Sequence, residues 1–190
     1  MTDALPPLVV IGASAGAVQA LLTLLEPLPP TERFAVLITV HVPPDRSNSL
    51  VPLLAARCAL PVKEAEDKEA IRPGVVYFAP SDYHLLVEQD GHLALSSDEL
   101  VNYARPAIDV LFDSAADAGA PSLTGIILTG ANEDGAAGLA AIVRAGGEAL
   151  VEAPVSAYAR TMPEAALAAC PQAAVLDLVG IAQHLQERAR

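Results

Sequence analysis

Short runs of β-branched and other apolar residues alternate with amphipathic helical stretches along this chain, and that alternation restricts it to a parallel α/β sheet. LVVI (8–11) reads as a buried strand, followed by Val18, Leu21, Leu22 and Leu25 at the spacing of one helix face, with Pro27 as the stop. FAVLITV (34–40) is a second strand, ending at His41 and the pair Pro43-Pro44, and a helix from about Asn48 to Cys58 follows with Leu50, Leu53, Leu54 and Arg57 on one side. LTGIILTG (123–130) is another strand, with ANEDG as its loop and a helix to about Ala145 that Gly146-Gly147 ends. EALV, a helix after Pro163, AAVLDL and a helix from about Gly180 complete the series.

The middle of the chain breaks the alternation. KEAEDKEAIR (63–72) reads as a solvated face. VVYFAP and HLLVEQDGHLAL follow, and Asp90-Gly91 between apolar runs predicts an antiparallel β-hairpin on or beside the parallel sheet. Pro106 suits the first turn of a helix through about Ala118 that carries Ile108, Leu111, Phe112 and Ala115 on one face. The expected fold is α/β: one doubly wound, mostly parallel sheet flanked by helices. With no repeat, low-complexity tract or shift in composition, residues 1–190 read as a single domain.

Composition narrows the partners. The chain is 53% hydrophobic and 18% charged, which excludes disorder. Its net charge of −12, with only 11 Lys and Arg, argues against nucleic acid and against an anionic membrane surface. Residues 4–25 are uncharged, but Pro6, Pro7, Gly12 and Gly16 interrupt them, and no basic residue precedes them as a signal peptide requires. The expectation is a cytoplasmic chain without membrane insertion. Cys58 and Cys170 are far apart and read as two reduced thiols rather than a disulfide or a metal site.

Gly12-Ala13-Ser14-Ala15-Gly16 lies where the first strand becomes a helix. It lacks the second glycine of a dinucleotide fingerprint and the Gly-Lys-Ser/Thr of a Walker loop. A turn that only packs, or one that holds an anion at the helix N-terminus, remains open. The pattern also matches Gly-x-Ser-x-Gly, in which small neighbours leave a serine nucleophile uncovered on a strand–turn–helix. His41 closes the second strand and Asp134 follows the strand LTGIILTG, so Ser14, His41 and Asp134 all sit at carboxyl ends of parallel strands, on the rim where α/β sites form. Their chain order is no objection, because triads are defined by roles. His84, His92 and His184 read as structural or solvated. Asp134 has two rivals for its role. Glu133 could orient His41 instead, or Asp134 could simply cap its own helix, where Asn would serve nearly as well.

The segments VVIGASAG, TVHVPP, RPAIDVLFDSAA, LTGANEDGAAGL and TMPEAAL together resemble the catalytic domain of the bacterial chemotaxis protein-glutamate methylesterases, the CheB type, from about Val9 to Val179. The resemblance implies Ser14 as nucleophile, His41 as general base and acid, and Asp134 as its orienter. Backbone N–H groups at Ala15 and Ala131 would receive the oxyanion, and Asn102, Arg105 and Met162 would line the substrate groove. It implies no cofactor and no metal. The implied substrates are γ-glutamyl methyl esters on the cytoplasmic helices of methylated chemoreceptors, cleaved to glutamate and methanol, with glutamine deamidation in some members. With the first strand at about residue 8, the expectation is a catalytic domain without a receiver domain, and a separate receiver or signalling protein is the expected regulatory partner.

The chain departs from the family at three places. Ala15, Gly16 and Ala17 replace a threonine and two glycines. Ala131-Asn132 replaces Met-Gly, and Thr161 stands where glycine is usual before Met-Pro. A non-catalytic regulatory module of the same fold and a small-molecule carboxylesterase are the alternatives that these changes leave.

Overall fold

The computed structural model describes residues 5–41 and 49–190. In chain order its elements are β1 (Leu8–Ala13), α1 (Ala17–Leu25), β2 (Ala35–Val40), α2 (Leu50–Ala55), β3 (Val62–Glu64), β4 (Val76–Phe78), β5 (His84–Val87) and β6 (Leu93–Ser96). These are followed by α3 (Ile108–Ala118), β7 (Leu123–Ile127), α4 (Ala136–Arg144), β8 (Glu148–Glu152), α5 (Thr161–Ala169), β9 (Ala174–Leu176) and α6 (Leu178–Ala189). Among the described residues, a seven-stranded parallel sheet runs β3-β4-β2-β1-β7-β8-β9, and β5 and β6 form a separate antiparallel pair.

The unbroken apolar runs follow from burial on both faces of this sheet. In β1, Leu8 and Val10 join the core under α3, α4, α5 and the ribbon, while Val9 and Ile11 join the core under α1, α2 and α6. Strand side chains alternate between faces, so a strand covered by helices on each side must be apolar throughout. This is the doubly wound arrangement expected, and the Asp90-Gly91 hairpin forms where expected, with Gly91 at φ 85°.

Several local expectations change. Val76–Phe78 belongs to the parallel sheet, not to the ribbon, and Val62–Glu64 from the charged stretch forms its outer edge strand. The first helix buries Ala17, Ala20, Leu21, Leu24 and Leu25, and leaves Val18 48% exposed. Helix α3 starts at Ile108, just after Pro106, and α6 starts at Leu178 because the Asp177 carboxylate caps the Gly180 N–H at 2.7 Å. Pro43-Pro44 and the predicted helix start at Asn48 lie outside the described residues. No helix among the described residues is long and apolar enough to cross a membrane.

The order of the sheet positions the site. From β1 outward, β2, β4 and β3 lie on one side, and the chain then returns to lay β7, β8 and β9 on the other. The crevice beyond the carboxyl ends of β1 and β7 is therefore a topological switch point, where open α/β sheets place their sites.

Candidate active site

Ser14 follows β1 directly and is half-buried. Its N–H donates to the Thr129 carbonyl at 2.9 Å, and its own carbonyl accepts the Ala17 N–H at 3.0 Å. The Thr129 hydroxyl then donates to the Ala15 carbonyl at 2.8 Å and accepts the Ala159 N–H at 2.8 Å. Thr129 thus clips the serine turn to the loop before α5. The two glycines have separate reasons. A Cβ at Gly12 would run into the Ile108 side chain, so glycine lets the start of α3 press against β1. Gly16 sits at φ 87°, a left-handed conformation that suits glycine, and a Cβ there would lie 2.8 Å from Tyr158 Cβ. The N–H groups of Ala15 and Ala131 have no partner among the described residues.

His41 follows β2, which pairs with β1 in a register that ends on Ala13 opposite Val40. The His41 N–H donates to the Ala13 carbonyl at 3.3 Å, so His41 and Ser14 occupy neighbouring strand ends. Adjacent strands lie about 4.8 Å apart, which brings the two residues side by side. His41 Nε2 lies 2.7 Å from Asp134 Oδ2. Glu133 is exposed, and it is Asp134 that meets the imidazole. The ring's other nitrogen, Nδ1, lies 3.3 Å from Asn132 Nδ2.

Asp134 is fully buried and accepts four hydrogen bonds. Oδ2 takes the His41 ring and the Ile108 N–H (2.6 Å), and Oδ1 takes the Asp109 N–H (3.1 Å) and the Asn102 amide (2.8 Å). Asp134 is therefore a cap, but of α3 rather than of its own helix. The exchange is reciprocal, because the Asp109 carboxylate in α3 accepts the Gly138 N–H in the first turn of α4 at 2.7 Å. Burial alone would raise the Asp134 carboxyl, but the bonds from His41, Ile108, Asn102 and Asp109 outweigh it and hold the group below the usual carboxylate range. The positive end of α3 acts in the same direction. Asp109 moves the other way. Burial raises it, and the Asp134 charge adds to the rise against the bonds from Gly138 and Asn102.

Asn102 and Arg105 lie beside an open groove lined by Glu99, Leu100, Asn102, Tyr103 and Arg105, but much of their hydrogen bonding turns inward. The Asn102 amide bridges Asp109 and Asp134, at 2.8 Å to each. Arg105 binds Asp82 through Nε (2.9 Å) and Nη2 (2.7 Å), and the Ser97 and Asp98 carbonyls through Nη1. Met162 is fully buried, and its sulfur packs where a Cβ on Gly130 would be. His84 has a structural place. Nδ1 accepts the Ala107 N–H and Nε2 donates to the Glu99 carbonyl, which fastens the start of α3 to β5. His92 pairs with Asp90, and His184 with Glu148.

Sequence reasoning did not single out Thr129, Asp109 or Glu152. The Glu152 carboxylate, buried at the end of β8, accepts the Thr129 N–H at 2.8 Å, and burial pushes its pKa up. A carboxyl raised by folding favours the native state below its unfolded pKa and loses that contribution as pH rises through the folded value. Glu152→Gln keeps an acceptor for Thr129 and removes the ionisable group. The variant's melting temperature is expected to gain on wild type between pH 4.5 and pH 8. A gap between the two that is constant over that range would contradict this.

The family model described as CheB methylesterase matches residues 9–185. A putative protein-glutamate methylesterase/protein-glutamine glutaminase of Leptospira interrogans is 42% identical over 92% of this chain and 91% of its own length. The Bordetella parapertussis protein-glutamate methylesterase/protein-glutamine glutaminase is 40% identical over 95% of this chain, which spans 53% of that relative. The crystal structure of the Thermotoga maritima CheB methylesterase catalytic domain superposes with a TM-score of 0.89 at 32% identity, covering 96% of this chain and 98% of that one.

Proposed function

Because the chain belongs to the CheB methylesterase family, we propose that it hydrolyses γ-glutamyl methyl esters on cytoplasmic chemoreceptor-like helices through Ser14, His41 and Asp134. The observation that carries this reading is the 2.7 Å pairing of His41 with a buried carboxylate, at the strand end next to Ser14. Nε2 is committed to Asp134, so Nδ1 is the nitrogen that takes the Ser14 proton. Oγ attacks the ester carbonyl, and the N–H groups of Ala15 and Ala131 receive the developing oxyanion. Collapse of the tetrahedral intermediate expels methoxide, which takes the proton from Nδ1 and leaves as methanol. Water, deprotonated by Nδ1, then attacks the acyl-enzyme and releases glutamate and free Ser14. Asp134 stays ionised throughout and holds the ring and its tautomer.

A protein substrate fits the surroundings. Tyr103 (98% exposed) and Leu100 line the groove beside Asn102, and the exposed Tyr158 lies against Gly16 in the serine turn. Exposed apolar side chains of this kind suit contact with a partner's helix better than enclosure of a small ester. The same acyl-enzyme chemistry accepts a glutamine side chain, with ammonia leaving in place of methanol, and the relatives' names pair the two activities.

The test is release of volatile methanol from radiolabelled, methylated receptor. Time-dependent release that stops in the His41→Ala variant is the expected result. No release from methylated receptor, with turnover of short-chain esters retained, would replace this reading by a small-molecule carboxylesterase.

A further inference from the structure

Asn132 uses both ends of its side chain. Oδ1 accepts the Asp134 N–H at 3.1 Å, and that bond sets the orientation of the amide, because a flipped group would turn NH₂ against N–H. Nδ2 is therefore the atom that faces His41 Nδ1, 3.3 Å away. On the far side of the ring, Nε2 donates to Asp134 Oδ2, a carboxylate held in its ionised form. With the hydrogen on Nε2, Nδ1 is an acceptor with one in-plane lone pair, and the Asn132 amide points at it.

That lone pair is the one Ser14 needs. It cannot serve Asn132 and Ser14 together, and once it has taken a proton, the new N–H would face the amide NH₂. We propose that Asn132 is a latch on the general base: in the resting protein its amide occupies His41 Nδ1, and Ser14 is deprotonated only after that bond opens. This rests on the reading of His41 as the base that acts through Nδ1. Asn132 is a positioning residue here, since it touches the imidazole and not the ester. It adjoins Ala131, whose free N–H faces no partner among the described residues, so a carbonyl seated there bears on the same turn that holds the latch.

The test compares wild type with Asn132→Ser, using a small fluorophosphonate as a probe of the serine and mass spectrometry to locate the label. Serine at 132 keeps an oxygen that can accept the Asp134 N–H in a short turn, but is too short to reach the ring. Labelling of Ser14 is expected to be about three- to tenfold faster in the variant, the factor that one net hydrogen bond supplies. In ¹⁵N spectra of histidine-labelled protein, His41 Nδ1 is expected to move toward the position of a free, unprotonated nitrogen, with Nε2 still protonated. Labelling at or below the wild-type rate overturns the latch, as does an unchanged Nδ1 resonance. Should Asn132→Ser fold poorly, Asn132→Asp replaces the donor by an acceptor and keeps the turn. Its labelling should begin to fall at a higher pH on the acid side, and an unmoved profile overturns the latch. Wild type that labels at Ser14 and loses the label with His41→Ala leaves the esterase reading standing, so the variant rates judge the latch alone. Wild type that never labels at Ser14 overturns that reading, and the latch with it.

Discussion

Ser14→Ala is expected to lower kcat for methanol release by up to about 10⁶-fold, the scale of losing the nucleophile of an assembled triad. Its melting temperature should barely move. The bonds that shape the turn are made by the Ser14 backbone, to Thr129 and from Ala17, and alanine keeps both. The Ser14 hydroxyl has no partner among the described residues and the residue is half-buried, so the change lies in the class that alters stability by about 0.5 kcal/mol or less. Circular-dichroism melts and the methanol assay on the same preparations check both halves. A variant that keeps a tenth of the wild-type rate would remove Ser14 from the nucleophile's role.

The turn that carries Ser14 was legible in the sequence because everything that shapes it is close in the chain. A strand buried on both faces, a sharp turn between glycines and a helix are local features, and each leaves a local signature. So are the ends of β2 and β7, which is why the sequence alone puts His41 and Asp134 on Ser14's rim. The edge strand Val62–Glu64 left no such signature. It has three residues, is at most partly buried, and carries Lys63 and Glu64, so its composition is that of a surface loop. Val76–Phe78 is fully buried, yet three residues cannot declare whether they pair with β2 or with the ribbon.

The supports of the site were hidden for another reason: their partners are distant in the chain. Asn102 reaches Asp134 across 32 residues and Thr129 reaches Ala15 across 114. Nothing in the local pattern around Asn102 separates a groove residue from one whose amide bridges two carboxylates. Asp109 looks like any acidic residue in a helix's first turn, although its bond goes to another helix. Asn132 was visible as a departure from the family pattern, but its meaning lies in the 3.3 Å to His41, which no spacing in the sequence reports.

Asp134→Asn shows where the structure changes an expectation drawn from sequence. As a cap of its own helix, Asp134 should yield to Asn with little loss of stability. The structure instead surrounds its two oxygens with donors only: the His41 ring and the Ile108 N–H at one, the Asn102 amide and the Asp109 N–H at the other. An asparagine has a single acceptor oxygen, so whichever way its amide turns, NH₂ meets two donors inside the protein. A buried donor left without a partner costs about 1–3 kcal/mol, and in a protein of this size each kcal/mol moves the melting temperature by about 2–4 °C. A fall of several degrees is therefore expected. If the NH₂ faces His41, the ring is driven to put its hydrogen on Nδ1, and the base toward Ser14 is lost. If it faces the other way, the negative charge that stabilises the imidazolium is still gone. A loss of about 10⁴-fold in kcat follows from the comparable change in a serine protease triad. Acid removes the same charge. Folding lowers the Asp134 pKa, so its contribution to stability is complete above the ordinary carboxylate pKa and disappears as pH falls through the depressed folded value. The wild-type advantage over Asp134→Asn should therefore shrink in acid below about pH 4. Glu133→Gln, on an exposed side chain, is the matched control and should keep nearly full activity. Methanol release within tenfold of wild type for Asp134→Asn would show that the buried carboxylate is not the orienter of His41, and a melting temperature equal to wild type at pH 7 would show that it is not the anchor of α3.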